Sequence, residues 1–321
     1  MQTQFVLLRS LLERTKHNQK HNQKHNQKHT QNHLLIVAAL MAITTLFSAC
    51  SSTKELKNNN LHSLQNHEPC YKIMQKAKSS QEKVDKKINN LTSKDLKNAS
   101  DTWKKVAVQC NSRFAQGVVF SAQNIWKLAN LNQTGNSETI KLAEQLELNA
   151  YKKIQDFADN NKNLYWNHDP LAKAAVAQDK LAFLLQTLAA RDAKNVSLRQ
   201  SDMTATISNT LMHFASNGND LRQKVYEIPQ QNLESGIAKD NATGKELPIV
   251  AIAYMDCARE ELDALNQTIF PINKDGKINN DAIVSIENQD FIGVLADIVV
   301  SHIISAYSNG YPTDDSAIFE Q

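Results

Sequence analysis

The sequence predicts an all-α protein, an irregular bundle of roughly six to eight helices. Three observations lead there. Glycine and proline are scarce, at 8 and 6 of 321 residues, whereas turn-dense β folds and Gly-rich phosphate loops need more glycine. Leu, Ala, Lys, Gln and Glu, all good helix formers, are abundant. Apolar residues recur at spacings of 3, 4 and 7, with polar Asn-rich interruptions between the periodic runs.

The elements follow in chain order. Pro69, at a first-turn position, opens a helix with Cys70, Met74, Ala77, Val84, Ile88 and Leu91 on one face. "NNLTSKD" interrupts it. A second helix carries Trp103, Ala107, Cys110, Phe114, Val118 and Ile125, and a third carries Leu142, Leu146, Ala150, Ile154 and Phe157. Asp169 and Pro170 make an N-cap and N1 pair for the fourth, "LAKAAVAQDKLAFLLQTLAA", which is apolar around most of its circumference and so expected near the centre. The fifth covers 202–215, with an extension to Tyr226 an open alternative. The longest polar interruption, near 229–247, fits a loop or subdomain boundary. A sixth helix runs over 249–266. A seventh, over 290–307, is nearly all apolar, but Asp297 and His302 argue for burial in protein rather than a membrane span. A short hairpin fits "FPINKDGKIN". The helical domain is thus drawn at 69–310, with 311–321 as a C-terminal tail.

Residues 1–49 read differently. His17, His21, His25, His29 and His33 recur every four residues, which on a helix would stack imidazoles on one face. The same tract supplies Lys16, Lys20, Lys24 and Lys28, and an uncharged run from Leu34 to Ala49 follows. A positive n-region before a run too short for a usual membrane span describes a secretion signal. The run ends in Phe47-Ser48-Ala49-Cys50, which resembles the lipobox of bacterial lipoproteins, although that family prefers Leu where Phe47 stands. The resemblance implies cleavage between Ala49 and Cys50, diacylglycerol on the Cys50 thiol and an acyl group on its new amine. Because Ser51 rather than Asp follows Cys50, it also implies an outer-membrane address, on a face the sequence does not specify. Residues 50–68 then form a polar tether. No other cofactor is expected.

Charge narrows the partners. Residues 1–49 carry six basic side chains and one acidic, leaving 30 basic and 32 acidic in the remainder. A nearly neutral mature chain lacks the basic excess of a nucleic-acid binder. The expected partners are the membrane, through the lipid anchor, and other envelope proteins.

No HExxH, GxSxG or Walker-type loop occurs, and no two histidines of the mature part have ligand spacing on one helix. No metal is therefore expected. Asn273, Asp275, Gly276 and Ile278 imitate a calcium loop, but Pro271 and Ala282 stand where its first and twelfth ligands belong, so an Asp-Gly turn is the reading. Asp256, Glu260 and Asp263 form a carboxylate stripe beside Arg259 and Glu261, read as a solvated face. His168 falls at a helix start and His213 on a polar stripe with Asn209 and Ser216. His302 lies with Leu295, Val299 and Ala306 as a buried core histidine. Cys70 precedes a turn near Thr92 by 22 residues and Cys110 follows it by 18, so a helical hairpin offsets them by about 6 Å, near enough to pair. Cys257 remains as a buried thiol, or as a nucleophile without a motif, and three unpaired cysteines are the alternative.

The function expected is therefore a membrane-anchored envelope lipoprotein acting as a non-enzymatic binding or assembly module. The alternatives are an anchored hydrolase using a carboxylate cleft, and an immunity or inhibitor lipoprotein.

Overall fold

The protein is an all-α helical bundle. The computed structural model describes residues 68–87, 90–110, 113–131, 136–160, 168–215, 219–266 and 286–313. They belong to one compact unit spanning His67–Gln321. Nine helices occur among them: α1 (Glu68–Lys86), α2 (Ser93–Gln109), α3 (Phe114–Leu131), α4 (Asn136–Asn160), α5 (His168–Ala189), α6 (Leu198–Phe214), α7 (Gln230–Ser235), α8 (Ile249–Asn266) and α9 (Ile286–Ser308). Two short strands, β1 (Ile237–Lys239) and β2 (Glu246–Pro248), pair antiparallel between α7 and α8, with Ala238 opposite Leu247.

The α1–α2 turn is set by Thr92, whose side chain accepts from the Asp95 amide while the Asp95 carboxylate accepts from the Thr92 amide, a reciprocal cap. The disulfide Cys70–Cys110 closes the far end of this hairpin, with the Cα atoms 5.1 Å apart. Between them Trp103 stacks on Phe120 with ring centroids 4.4 Å apart, and its indole N–H donates to Gln81 at 3.1 Å. Ser197 and Gln200 make the same reciprocal cap at the start of α6.

α9 is the axis of the bundle. It packs against α2, α3, α4 and α8, while α5 packs on α6 and α8. Its Phe291, Leu295, Val299, Ile303 and Ala306 are buried. Among the described residues its segment Gln289–Ser308 is long and apolar enough to cross a membrane, but 89 % of that window is buried in the protein. α5, expected near the centre, buries Leu171, Ala174, Ala175, Leu181 and Leu185 in the main core but exposes Lys173 and Lys180, whereas α9 is buried at nearly every position from Phe291 to Tyr307.

Several boundaries differ from expectation. The single helix expected over Trp103 to Ile125 is two, α2 and α3, with Cys110 extended at φ −116°. Continuous 3–4 periodicity across 103–125 conceals the break because both halves bury the same side. On α4 the buried face is Ala143, Glu147, Ala150 and Ile154, which leaves Leu142 exposed; the stripe is rotated by one residue and carries a glutamate inward. α6 stops at Phe214, and the chain near Tyr226 is irregular. There Arg222 donates to Asn209 and the Tyr226 hydroxyl donates to Asp179 at 2.7 Å, fixing the segment with side chains instead of helical bonds. The stretch 229–247 contains α7 and most of the β1–β2 hairpin; Leu233, Ala238 and Leu247 pack on the main core. The hairpin expected over 270–279 lies outside the described residues, as do Ile88, Cys50 and all of residues 1–67. Tyr311, assigned by sequence to the tail, is buried.

Candidate functional site

Five helices deliver polar side chains to one point in the core. Cys257 and Glu261, four residues apart, share a face of α8. α9 brings His302, α4 brings Glu147, α5 brings Gln178 and α6 brings Thr204, and all six side chains are buried. His302 Nδ1–H donates to Glu261 Oε2 at 2.8 Å. Cys257 Sγ lies 3.7 Å from the same Nδ1. Gln178 Nε2 donates to the other Glu261 oxygen. On the far side of the imidazole, His302 Nε2 makes no hydrogen bond and faces Glu147 Oε1 at 4.0 Å, an oxygen that accepts from the Thr204 hydroxyl at 3.0 Å.

Burial sets the proton inventory. It opposes charge on His302, but the Glu261 carboxylate, aided by its hydrogen bond and by Glu147, outweighs burial and holds the imidazole pKa above its usual value. Burial pushes the Glu147 carboxyl up, against the pull of His302. Burial, then the Glu261 carboxylate, pushes the Cys257 thiol well up. These shifts favour an imidazolium at His302 and a neutral thiol at Cys257.

Cys257, His302 and Glu261 are not arranged as a nucleophilic triad. In a triad the nucleophile and the orienting carboxylate use opposite ring nitrogens, so that the base can take a proton through one while held by the other. Here Cys257 and Glu261 converge on one nitrogen, and the thiol is protonated and sealed.

A second cluster ties the hairpin to α8. The buried Asp240 carboxylate accepts from Thr243 N at 2.8 Å and from the Tyr311 hydroxyl at 2.7 Å. Burial opposes its charge, but these bonds and Arg259 hold its pKa below the usual carboxylate value. Arg259 also donates to Tyr311 and, at 3.1 Å, to Asp256. Partial burial and the neighbouring Asp240 push the Asp256 carboxyl up to about 6, against the pull of Arg259.

The expected carboxylate stripe is thus divided. Asp256 turns to Arg259, and Glu260 pairs with Lys180 on α5 at 2.9 Å. Glu260 and Asp263 line a surface cavity of about 440 Å³ with Asp169, Lys173 and Leu221, and no histidine is among the described residues lining it. His168 is half-buried at the start of α5, and His213 is exposed on α6. The calcium-loop imitation, 271–282, the histidines of 17–33, and Ala49 with Cys50 lie outside the described residues. A larger groove of about 740 Å³ lies between α2, α4 and α9, with Val108, Phe157 and Val294 in its lining and Lys105, Lys153, Asp156 and Asp290 among its charged residues.

No family model, curated protein or solved structure matches the chain. Its chemistry therefore rests on its own residues. Sequence reasoning names Cys257, Glu261 and His302 separately and overlooks Glu147, Gln178 and Thr204. One signal was present: Glu147 stands in register with Ala143, Ala150 and Ile154, a charge on an otherwise apolar face.

Proposed function

We propose that this chain is a lipid-anchored lipoprotein of the bacterial envelope, held in the outer membrane by acyl chains on Cys50 and acting as a non-enzymatic interaction module. The observation that carries the reading is the uncharged run ending in Phe47-Ser48-Ala49-Cys50 behind a lysine-rich segment. Cys50 lies 18 residues before the first described helix at Glu68, a stretch that reaches at most about 60 Å when fully extended. Two or more acyl chains give stable anchoring where one gives marginal binding.

The bundle supports a binding rather than a catalytic role. Its acid–base cluster is sealed in the core, and the carboxylates Asp256 and Glu260 are engaged by Arg259 and Lys180. The α2–α4–α9 groove, with apolar side chains between charges of both signs, suits a polypeptide segment offering an apolar side chain flanked by charges. Mass spectrometry of the mature N-terminus is the test. The expected species begins at Cys50 and carries diacylglycerol and an N-acyl group. Residues 1–49 still attached, or an unmodified Cys50, would overturn the reading.

A further inference from the structure

We propose that Cys257, Glu261 and His302 form a buried binding site for a divalent transition metal of the zinc class. The proposal is independent of how the chain is anchored. It rests on convergence: Sγ of Cys257, a carboxylate oxygen of Glu261 and Nδ1 of His302 all lie within 4.8 Å of one another in the core. Thiolate, imidazole and carboxylate together are a donor set for zinc.

The spacing fits closely. With Zn–S near 2.3 Å and Zn–N and Zn–O near 2.05 Å, tetrahedral geometry puts sulfur about 3.6 Å from nitrogen and nitrogen about 3.3 Å from oxygen. The observed separations are 3.7 Å for Cys257 Sγ to His302 Nδ1 and 2.8 Å for His302 Nδ1 to Glu261 Oε2. Admitting the ion opens the second pair by about half an ångström and breaks its hydrogen bond.

The surroundings supply what such a ligand set needs. A metal-bound histidine ordinarily donates its other ring N–H to a carboxylate. His302 Nε2 has no hydrogen bond and faces Glu147 Oε1 at 4.0 Å. Gln178 holds the non-ligating oxygen of Glu261. Charge also balances. The cation displaces the thiol proton of Cys257 and the Nδ1 proton of His302, releasing two protons. A thiolate, a carboxylate and a neutral imidazole then surround a 2+ ion, so the core gains no net charge. Three protein ligands leave one position for a water. Burial implies that the ion is enclosed as the protein folds or during an opening of the bundle.

The sequence concealed this site because its ligands come from two helices, with His302 standing 41 residues from Glu261. The test uses Co²⁺ on full-length Cys50→Ser protein, whose remaining unpaired cysteine is Cys257, stripped with chelator and incubated for long enough to open. Cobalt bound by thiolate shows a near-ultraviolet charge-transfer band that the imidazoles of the 17–33 tract and surface carboxylates do not produce. One equivalent should bind with that band, Cys257→Ala should abolish it, and Glu261→Gln, which retains side-chain shape, should weaken binding at least tenfold. Zn²⁺ should raise the midpoint of thermal unfolding in the Cys50→Ser parent and not in Cys257→Ala. Absence of a thiolate band in the parent, or its persistence in Cys257→Ala at unchanged affinity, would overturn the proposal. Should Cys257→Ala fail to fold, an unchanged cobalt affinity in Glu261→Gln would overturn it equally.

Discussion

Gly117 is where α3 touches the backbone of α2. A Cβ placed there would collide with the Ala107 nitrogen and lie 2.7 Å from the Trp103 carbonyl oxygen and 2.8 Å from the Ala107 Cα. All three are backbone atoms, so no rotamer change relieves the clash, and the two helices must part by about 1 Å to reach ordinary contact. Parting them loosens the Trp103–Phe120 stack and the buried Ser100–Ser121 hydrogen bond of 2.9 Å. Overpacking of this kind costs about 1–3 kcal/mol and a lost hydrogen bond about 1 kcal/mol. Replacing a helical glycine by alanine returns about 1 kcal/mol. Gly117→Ala should therefore destabilise by about 2 kcal/mol, a fall in Tm of roughly 4–8 °C for a domain of this size. Gly293 on α9 is the internal control, because its nearest neighbour to a new Cβ is Val108 Cγ2 at 3.8 Å, an ordinary contact. There only the helix-propensity gain remains, and Gly293→Ala should stabilise by up to about 1 kcal/mol. Urea unfolding followed by circular dichroism measures both. Gly117→Ala within about 0.5 kcal/mol of wild type, or the two variants shifting stability in the same direction, would refute the close-approach argument.

Other perturbations probe different parts of the bundle. The disulfide closes a loop with a sequence separation of 40; by the loop-entropy relation its loss should cost about 4 kcal/mol, read from the urea midpoint of a Cys70→Ser/Cys110→Ser double variant, and a shift under about 1 kcal/mol would discredit it as a staple. His302→Ala leaves Glu261 and Glu147 in the core without their imidazole and should destabilise by about 3–5 kcal/mol, with a loss below about 1 kcal/mol counting against the buried pair. Asp256 is raised from its ordinary 3.8 to about 6, so its contribution to stability is full below pH 3.8 and is lost as pH rises through 6. Asp256→Asn should therefore stabilise slightly at pH 7 relative to its effect at pH 4, by under about 1 kcal/mol because the side chain is half exposed and screened; equal effects at both pH values would contradict the raised pKa.

What the sequence determined by itself is whatever depends on local spacing. Helix identity follows from 3–4 periodicity, as in Ala77 with Val84 and Leu295 with Val299, because that spacing alone puts side chains on one face. The near-level placement of Cys70 and Cys110 across a turn at Thr92 needs only the rise per residue. The lysine tract and Phe47-Ser48-Ala49-Cys50 are local patterns too, and the anchoring proposal draws on nothing else. Tertiary structure decided which faces meet. The break at Cys110 was hidden because α2 and α3 bury the same side of one continuous pattern. Glu147 could not be recognised as a core residue from α4 alone, since its neighbours across the core, His302 and Thr204, belong to α9 and α6. Cys257 and Glu261 are a turn apart on α8 in any reading, but what makes them a site is one nitrogen of His302, and its position is fixed only when α9 is threaded through the centre of the bundle.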